Sequence, residues 1–523
     1  LDKAAARLAD CVEAGAPIGI FGDYDVDGAC AAALMVQSMR QLGVTCDVHI
    51  PNRFREGYGP NIDALMALRE KGASLLVTVD CGITAHAPLA AVADTGMDVI
   101  VIDHHIAGPE LPKAHSVVNP NRLDEDGAYG YLCATSVVFL VIAGMLRTLR
   151  QRGYFSTTRP APDLLSQLDL VALATVCDVV PLVGLNRAFV RQGLKVMAQR
   201  QHHGLVKLAD IAGVNEAPNA YALGFLLGPR INAAGRLGAS GLGVKLLAAE
   251  DPDTAAGLAL QLDDMNKERR RIEESVRNVA LDRAAQTNHH VIILADRDWH
   301  EGVIGIVAGR VRERFGKPAM IISMGADGVG KGSARGIAGF RLGNAVIAAH
   351  QAGIIEGGGG HDMAAGFSVL ESQIENLQAF MNDRFMTEFN GVMPQVTHTV
   401  GAVLSVAGCQ PLIADWLDKL GPFGSGNAEP RFVIPDCRIK SARRVGADGA
   451  HLSCRLDDGS GTLNAIAFQA GGTALGQALE AAVDGRYLHI LGRVRRDRFR
   501  GGDAMQIEID DAAEPKLAAG FNS

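Results

Sequence analysis

Aromatic residues are scarce in this chain, at 5% of the sequence with two tryptophans, while 48% of it is hydrophobic. That balance describes an Ala/Leu/Val-rich α/β protein with ample core, expected to be soluble. No uninterrupted apolar run reaches the roughly 18 residues that a membrane span needs, and no charged-then-apolar leader opens the sequence, so neither membrane insertion nor secretion is expected. The chain starts at Leu1 and not at a methionine, an opening consistent with native residues ahead of it. Its nine cysteines include no C-x-x-C pair, which excludes the usual zinc and disulfide frameworks and fits reduced thiols in the cytoplasm. Excess positive charge is absent too. A formal net charge of -8 argues against a uniformly basic nucleic-acid binder but leaves room for a local basic groove.

What is present is a repeated unit. Between residues 17 and 120 an apolar run, an acidic or polar turn and a helical stretch recur, with the runs "PIGIF", "CDVHI", "SLLVTVD", "DVIVID" and "SVVNP". Continuous apolar runs suit a parallel sheet covered on both faces. Residues 131–250 read as mainly helical. The charged stretch 260–286 contains no glycine or proline and predicts one long connecting helix. "HVIILAD" and "PAMIIS" open a second α/β segment ending near Leu370, and from about Gly401 short strands and turns predict a small β-barrel.

The first turn reads "GDYDVDG", with three aspartates at alternate positions closed by a glycine. An EF-hand calcium loop opens the same way, but it closes with a glutamate at its twelfth position, and counting from Asp23 that place is Leu34. A strand also leads in where an EF-hand has a helix. The loop therefore lies at the carboxyl end of a strand, where open α/β sheets bind ligands.

Other strands of this segment end in similar chemistry. Asp80 closes "TVDCG", Asp103, His104 and His105 close "VIDHH", and Asp178 follows in "ATVCDVVPL". Any one aspartate could be a turn former or helix cap. As a set, carboxylates and imidazoles on one sheet edge form a costly like-charge cluster unless cations neutralise it. Oxygen-rich sites with a minority of His suit Mn²⁺ or Mg²⁺, and such a site can hold two ions that activate a water and cleave a phosphodiester. The ligand set expected is Asp25, Asp27, Asp80, His104 and Asp178. His105 can be a ligand, a donor to phosphate, or the partner of a ligand.

"GDYDVDG", "TVDCG", "VIDHH" and "ATVCDVVPL", in this order, resemble the four motifs of the DHH phosphoesterase superfamily. With "PNRFREGYG", "GPRINAAGRLG", "SARG", "GGGGHDMAAGF" and "PFGSGNAEP" the chain is similar over nearly its whole length to that superfamily's single-strand-specific 5′-to-3′ DNA exonucleases. Two departures stand out: Phe21 where many members carry a metal-binding His, and Cys177 before the fourth acid. The resemblance implies an α/β architecture of four parts. These are a parallel-sheet DHH catalytic domain (1–250), a connecting helix (251–289), a DHH-associated α/β domain (290–395) and an OB-like nucleic-acid-binding barrel (396–523). It implies a cytoplasmic, monomeric enzyme of DNA repair and recombination that releases mononucleotides. Single-stranded DNA is the expected substrate, and a single-strand-binding protein and a helicase are the expected partners.

The second α/β segment carries a near miss and a candidate pocket. "GADGVGKGS" almost spells a phosphate-binding Walker A loop, but Gly332 occupies the hydroxyl position and no helix is expected to follow. The resemblance implies instead that Ser333 and Arg335, with Arg53, hold a 5′-terminal phosphate, for which arginine forks and a hydroxyl are suitable donors. It also places His361, after four glycines, opposite the cleavage site as a second catalytic histidine beside His105. Arg230, Asn232 and Arg236 are expected to line the DNA path. In "GRVRRDRFRGG", Arg493, Arg495, Arg496, Arg498, Phe499 and Arg500 would combine phosphate neutralisation with base stacking. Each set has an ordinary alternative as a turn or a solvated face. Two other functions compete: a phosphodiesterase of short oligonucleotides sharing the metal site, and a non-catalytic scaffold, which could dispense with the acids this chain keeps.

Overall fold

The computed structural model describes residues 1–390, 392, 394, 397–446, 448–497 and 501–515. Two compact units emerge, one of Leu1–Val180 with Ala188–Gln395, the other of Pro181–Arg187 with Val396–Ser523.

The first unit begins with five parallel strands, β1 (Ile18–Gly22), β2 (Cys46–His49), β3 (Leu75–Val79), β4 (Val99–Ile102) and β5 (Ser116–Val118), in the order β2-β1-β3-β4-β5. The five sequence runs are these strands. β1, β3 and β4 are buried at every residue, which explains why their sequences are continuously apolar instead of alternating. In this order the chain winds one way from β1 to β2 and the other way from β1 to β3. The crevice at the carboxyl ends of β1 and β3 is thus the topological switch point of the sheet.

Helices cover the sheet and extend the unit. Val26–Gln41 follows the acidic loop and is almost wholly buried. Ala134–Gln151 is long and apolar enough to cross a membrane by composition, yet two-thirds of it is buried inside the unit, against Asp2–Ala14 and Val26–Gln41. The connecting helix is Pro252–Ala285. It starts earlier than residue 260 because Asp251 caps it, accepting from the N–H of Asp253 and Thr254, and Pro252 presets the first turn. At 34 residues it is about 50 Å long. It packs on Gly228–Arg236 along its first half and on Ile304–Phe315 further along.

Beyond it lies a mixed sheet of order β6-β7-β8-β10-β9, made of β6 (Ile292–Asp296), β7 (Ala319–Met324), β8 (Val329–Arg335), β9 (Gly357–His361) and β10 (Ala364–Leu370). Only β6 and β7 are parallel. The near-Walker stretch is strand β8, with no helix after it.

The second unit is a closed five-stranded barrel. Its strands β12 (Phe432–Val445), β13 (His451–Asp457), β14 (Thr462–Ala467), β15 (Tyr487–Arg496) and β16 (Met505–Ala513) run in the order β12-β13-β14-β16-β15, and β15 returns to β12. The short strand β11 (Ala402–Val403) adds to β12. The β14–β16 pair is parallel and the other barrel pairs antiparallel, as in an OB-fold.

One expected DNA contact belongs to the fold instead. Arg230 is 8% exposed; its Nε donates to Asp263 Oδ1 of the long helix at 2.8 Å and its Nη1 to the Leu226 carbonyl at 2.6 Å. A guanidinium so paired and covered cannot reach a phosphate. Arg230→Ala should therefore destabilise the first unit by about 1–3 kcal/mol, because Asp263 keeps only its pair with Lys267. It should leave the salt dependence of strand binding unaltered. A reduced salt slope with an unchanged melting temperature would return Arg230 to the DNA path.

Candidate active site

The acidic loop closes on itself because of one glycine. A side chain on Gly28 would fall 2.4 Å from the Asp23 carbonyl oxygen, so only glycine lets the start of Val26–Gln41 lie against the beginning of the loop. Asp25 caps that helix, one of its oxygens accepting from the Gly28 N–H at 3.0 Å. The cap role read as an alternative thus coexists with membership of the cluster. Asp27 points the other way, to the start of Ala134–Gln151. Its carboxylate accepts from the N–H groups of Ala134 (2.6 Å) and Thr135 (2.8 Å) and from the Thr135 hydroxyl (2.6 Å). A helix N-terminus stabilises an anion there. Asp80 follows β3 at φ +60°, a left-handed conformation uncommon for non-glycine residues, though aspartate and asparagine tolerate it better than most.

These turns bring ligand-type atoms together in three overlapping groups: Asp23, Asp25 and Asp80; Asp80, His104 and His105; and Asp27, His104 and Asp178. His104 Nε2 lies 3.3 Å from Asp80, 3.7 Å from Asp178 and 3.9 Å from Asp27. The structure thus gathers the five expected ligands. It adds Asp23, the first acid of the quoted motif, which alternation alone had put beside Asp25 and Asp27. Buried oxygens of Asp23, Asp80 and Asp178 have no hydrogen-bond partner. Burial, and after it the charges of neighbouring aspartates, push the Asp25 and Asp80 carboxyls up, Asp23 up to about 8 and Asp178 up to about 9. An orphaned, oxygen-rich anionic set with one or two imidazoles fits divalent cations such as Mn²⁺ or Mg²⁺.

Asp103 serves a different purpose. One oxygen accepts from the ring of His105 at 2.7 Å and from the N–H groups of His104 and His105, and the other from the Ile83 N–H. Burial raises its pKa, but these hydrogen bonds outweigh burial and hold it below the ordinary value. Burial lowers the His105 imidazole, and the same Asp103 contact more than reverses this, to about 9. Asn119 and Asn121 fix the loop by donating to the carbonyls of His105 and His104. Phe21, at the departed ligand position, is buried and stacks on His49 at 5.4 Å, inside the core.

A cavity of about 720 Å³ adjoins this cluster. Tyr24, between Asp23 and Asp25, lines it; so does Tyr58, whose hydroxyl lies 3.4 Å from His105 Nε2. Arg53, Arg236, Lys331 and Arg335 line it against one acid, Glu301. The Arg53 guanidinium lies over the Tyr24 ring, and Arg335 donates to the Ser333 hydroxyl at 3.2 Å. At Gly305, in the first turn of Ile304–Phe315, a Cβ would lie 2.9 Å from Ser333 Oγ and 3.0 Å from Arg335. Burial, then Arg53 and other arginines, push Arg236 down to about 10. Crowded cations, a hydroxyl and a helix N-terminus make an anion site. Arg53, Ser333 and Arg335 meet here as expected, and Arg236 joins them. His361 and Gly357 to Gly360 form another wall, with His361 exposed. Asn232 is half-buried and does not line the cavity.

The arginine run of the barrel is a correction. Arg493 pairs with Asp510 at 3.2 Å, Arg495 with Glu429 at 2.6 Å and Glu508 at 3.3 Å, and Arg496 with Asp415 at 2.6 Å and Asp503 at 2.5 Å. Within the run the only acid is Asp497, but antiparallel β16 and other segments supply five more carboxylates. These three arginines are not a free cationic stripe. Arg498, Phe499 and Arg500 lie outside the described residues.

Residues 17–175 match the model of the DHH family, N-terminal domain; residues 288–387 the DHHA1 domain; and residues 400–511 the RecJ OB domain. The chain is 35% identical to the single-stranded-DNA-specific exonuclease RecJ of Salmonella typhimurium, over 98% of this chain and 90% of that protein. It is 32% identical to the Bacillus subtilis RecJ over 98% of its own length, spanning 63% of the longer relative. The crystal structure of Thermus thermophilus RecJ in complex with Mn²⁺ superposes with a TM-score of 0.82 at 30% identity, covering 98% of this chain and 72% of that one; for the Mg²⁺ complex the score is 0.74.

The raised carboxyls carry a pH dependence. Without metal, Asp23 and Asp178 keep protons up to about pH 8 and 9 when folded but lose them near 3.8 when unfolded. The folded state then binds more protons between those limits, so stability falls as pH rises from about 4 to 9. A divalent cation competes with these protons, so its thermal stabilisation should grow from pH 6 to 9. Melting curves with chelator or Mn²⁺ across this range test both slopes, and a cation effect that shrinks with pH would contradict the assignment.

Proposed function

Because the chain belongs to the RecJ family of DHH proteins, we propose that it is a metal-dependent exonuclease specific for single-stranded DNA, removing mononucleotides from the 5′ end. The observation that carries this reading is the adjacency of two opposite sites. Orphaned carboxylate oxygens gather at the β1/β3 switch point, and Tyr24 links them to a cavity with four cations.

Asp23, Asp25, Asp80, His104, Asp27 and Asp178 would hold Mn²⁺ or Mg²⁺, and the separate donor groups Asp23–Asp25–Asp80 and Asp27–His104–Asp178 favour two ions. When bound, these cations supply Lewis acidity toward the phosphodiester and lower the pKa of water. The protein's own groups do the rest. Arg53, Arg236, Arg335, Ser333 and the first turn of Ile304–Phe315 hold the 5′-phosphate. A strand so anchored presents its first phosphodiester to the carboxylates, which sets the polarity and the one-nucleotide step. His105, kept protonated by Asp103, donates to a phosphate oxygen as negative charge develops. The glycines of β9 let the DNA backbone approach closely, with His361 beside it. The OB barrel supplies a further surface for single-stranded DNA. Duplex ends need opening first, which fits a helicase and a single-strand-binding protein as cytoplasmic partners of a monomeric repair enzyme.

The deciding assay compares 5′-labelled and 3′-labelled single strands, duplex and RNA, each with Mn²⁺ or Mg²⁺. Release of 5′-labelled mononucleotide from single-stranded DNA alone supports the reading; cleavage of dinucleotides only would replace it.

Two substitutions separate the sites. Asp80→Asn should abolish hydrolysis while leaving single-strand affinity within a few-fold, and the metal-free variant should melt no lower than the parent, because Asn accepts the left-handed backbone. Substantial turnover by this variant would remove Asp80 from the centre. Arg335→Ala should weaken use of 5′-phosphorylated ends by about 1.5–3 kcal/mol, the worth of a charge-assisted contact, and affect 5′-hydroxyl ends much less. Equal losses on both ends would show that the pocket does not hold the terminal phosphate.

A further inference from the structure

Tyr221 and Phe225 are 63% and 64% exposed, and their rings stack on each other at 5.0 Å with 23° between planes. Neither lines the cavity described above. Tyr221 immediately precedes and Phe225 lies within Ala222–Leu227, a π-helical turn whose inward residues Ala222, Leu223 and Leu227 are buried. Such turns are rare and frequent at functional sites. This one is braced: the Leu226 carbonyl accepts from Arg230, and the Leu223 carbonyl from the Cys177 thiol at 3.5 Å. A Cβ on Gly228 would fall 2.4 Å from the Cys177 sulfur, and one on Gly224 3.3 Å from Val176. The turn is therefore seated on the end of Leu168–Cys177, the residue after which is Asp178 of the carboxylate cluster.

The same helix continues without a break through Gly228–Arg236 and ends in the anion pocket at Arg236. From Phe225 to Arg236 is about 16 Å along the axis, the span of a few nucleotides. One rigid element thus carries an anion donor at one end and two exposed rings at the other, with the carboxylate cluster beside it. Ring faces left in water suit unpaired bases, which stack on aromatic side chains regardless of sequence. Bases paired within a duplex are not free to do so.

We propose that Tyr221 and Phe225 form a stacking platform for the unpaired bases a few nucleotides 3′ of the scissile bond, contributing to the preference for single strands. This rests on the exonuclease reading above and adds a subsite to it.

The test uses the full chain with Mn²⁺, 5′-phosphorylated oligothymidylates of increasing length, a dinucleotide, and strands carrying abasic sites at the third to sixth positions. In the Tyr221→Ala/Phe225→Ala double variant, the ratio of long-strand to dinucleotide kcat/KM should fall by about 5- to 150-fold, the worth of one stacked base. Abasic sites should produce a similar fall in the parent and little further change in the variant, and Phe225→Trp should retain the parent ratio. An unchanged ratio, an equal loss on dinucleotides, or a Trp variant as weak as Ala would overturn the platform. So would a change confined to self-association or protein binding. If the parent itself fails to degrade single strands, the exonuclease reading falls and the platform with it; active parent and active variants with equal ratios sink only the platform.

Discussion

Like charges forced together at one sheet edge are the constraint on which the rest of this structure depends. Asp23, Asp25, Asp27, Asp80 and Asp178 converge where burial raises the cost of every negative charge. The surrounding features are means of holding that arrangement. Gly28 lets the loop close, the N-terminus of Ala134–Gln151 braces Asp27, and the left-handed backbone of Asp80 turns its carboxylate inward. Local strain and unmet hydrogen bonds are stored there and supported by the buried strands β1, β3 and β4.

Next to the acids the first unit places the opposite arrangement. Arg53, Arg236, Lys331 and Arg335 are brought to one cavity by the first α/β segment, by the helix Gly228–Arg236 and by β8. Each charged set is destabilised alone and is of the kind that opposite charge relieves: cations for the carboxylates, an anion for the arginines. Tyr24 belongs to both, since its neighbours in sequence are Asp23 and Asp25 and its ring underlies Arg53. Binding and chemistry are thus linked through two or three residues of backbone.

Arginines elsewhere show how poorly charge alone predicts a role. Arg230 reads as a DNA contact among small residues, yet it holds Asp263 and braces a π-helical turn. Arg493, Arg495 and Arg496 read as a cationic stripe, yet acids on β16 and nearby segments pair with them. Asp263, Glu429 and Asp415 come from distant parts of the sequence, while Asp503, Glu508 and Asp510 belong to the hairpin of β15 and β16 itself. Arg236, by contrast, has no ion pair among the described residues and donates to the Gly302 carbonyl; burial first, and neighbouring arginines after it, lower its pKa.

The strands, the long helix, the barrel and most metal-ligand candidates are legible in the order of the amino acids, because these depend on local patterns. Continuous apolar runs, glycine-free charged stretches and acids placed just after strands leave a periodicity that can be read directly. Which candidates share a site, and which are already paired, emerges from the folded chain alone. Folding added Asp23 to the cluster, made Asp103 the partner of His105, moved Arg236 into the cationic cavity and put Phe21 into the core. The physical reason is that pairing, burial and orphaned hydrogen-bonding capacity are properties of contacts between residues far apart in the chain, such as Asp27 with Thr135 or Arg335 with Gly305, and no local pattern records them.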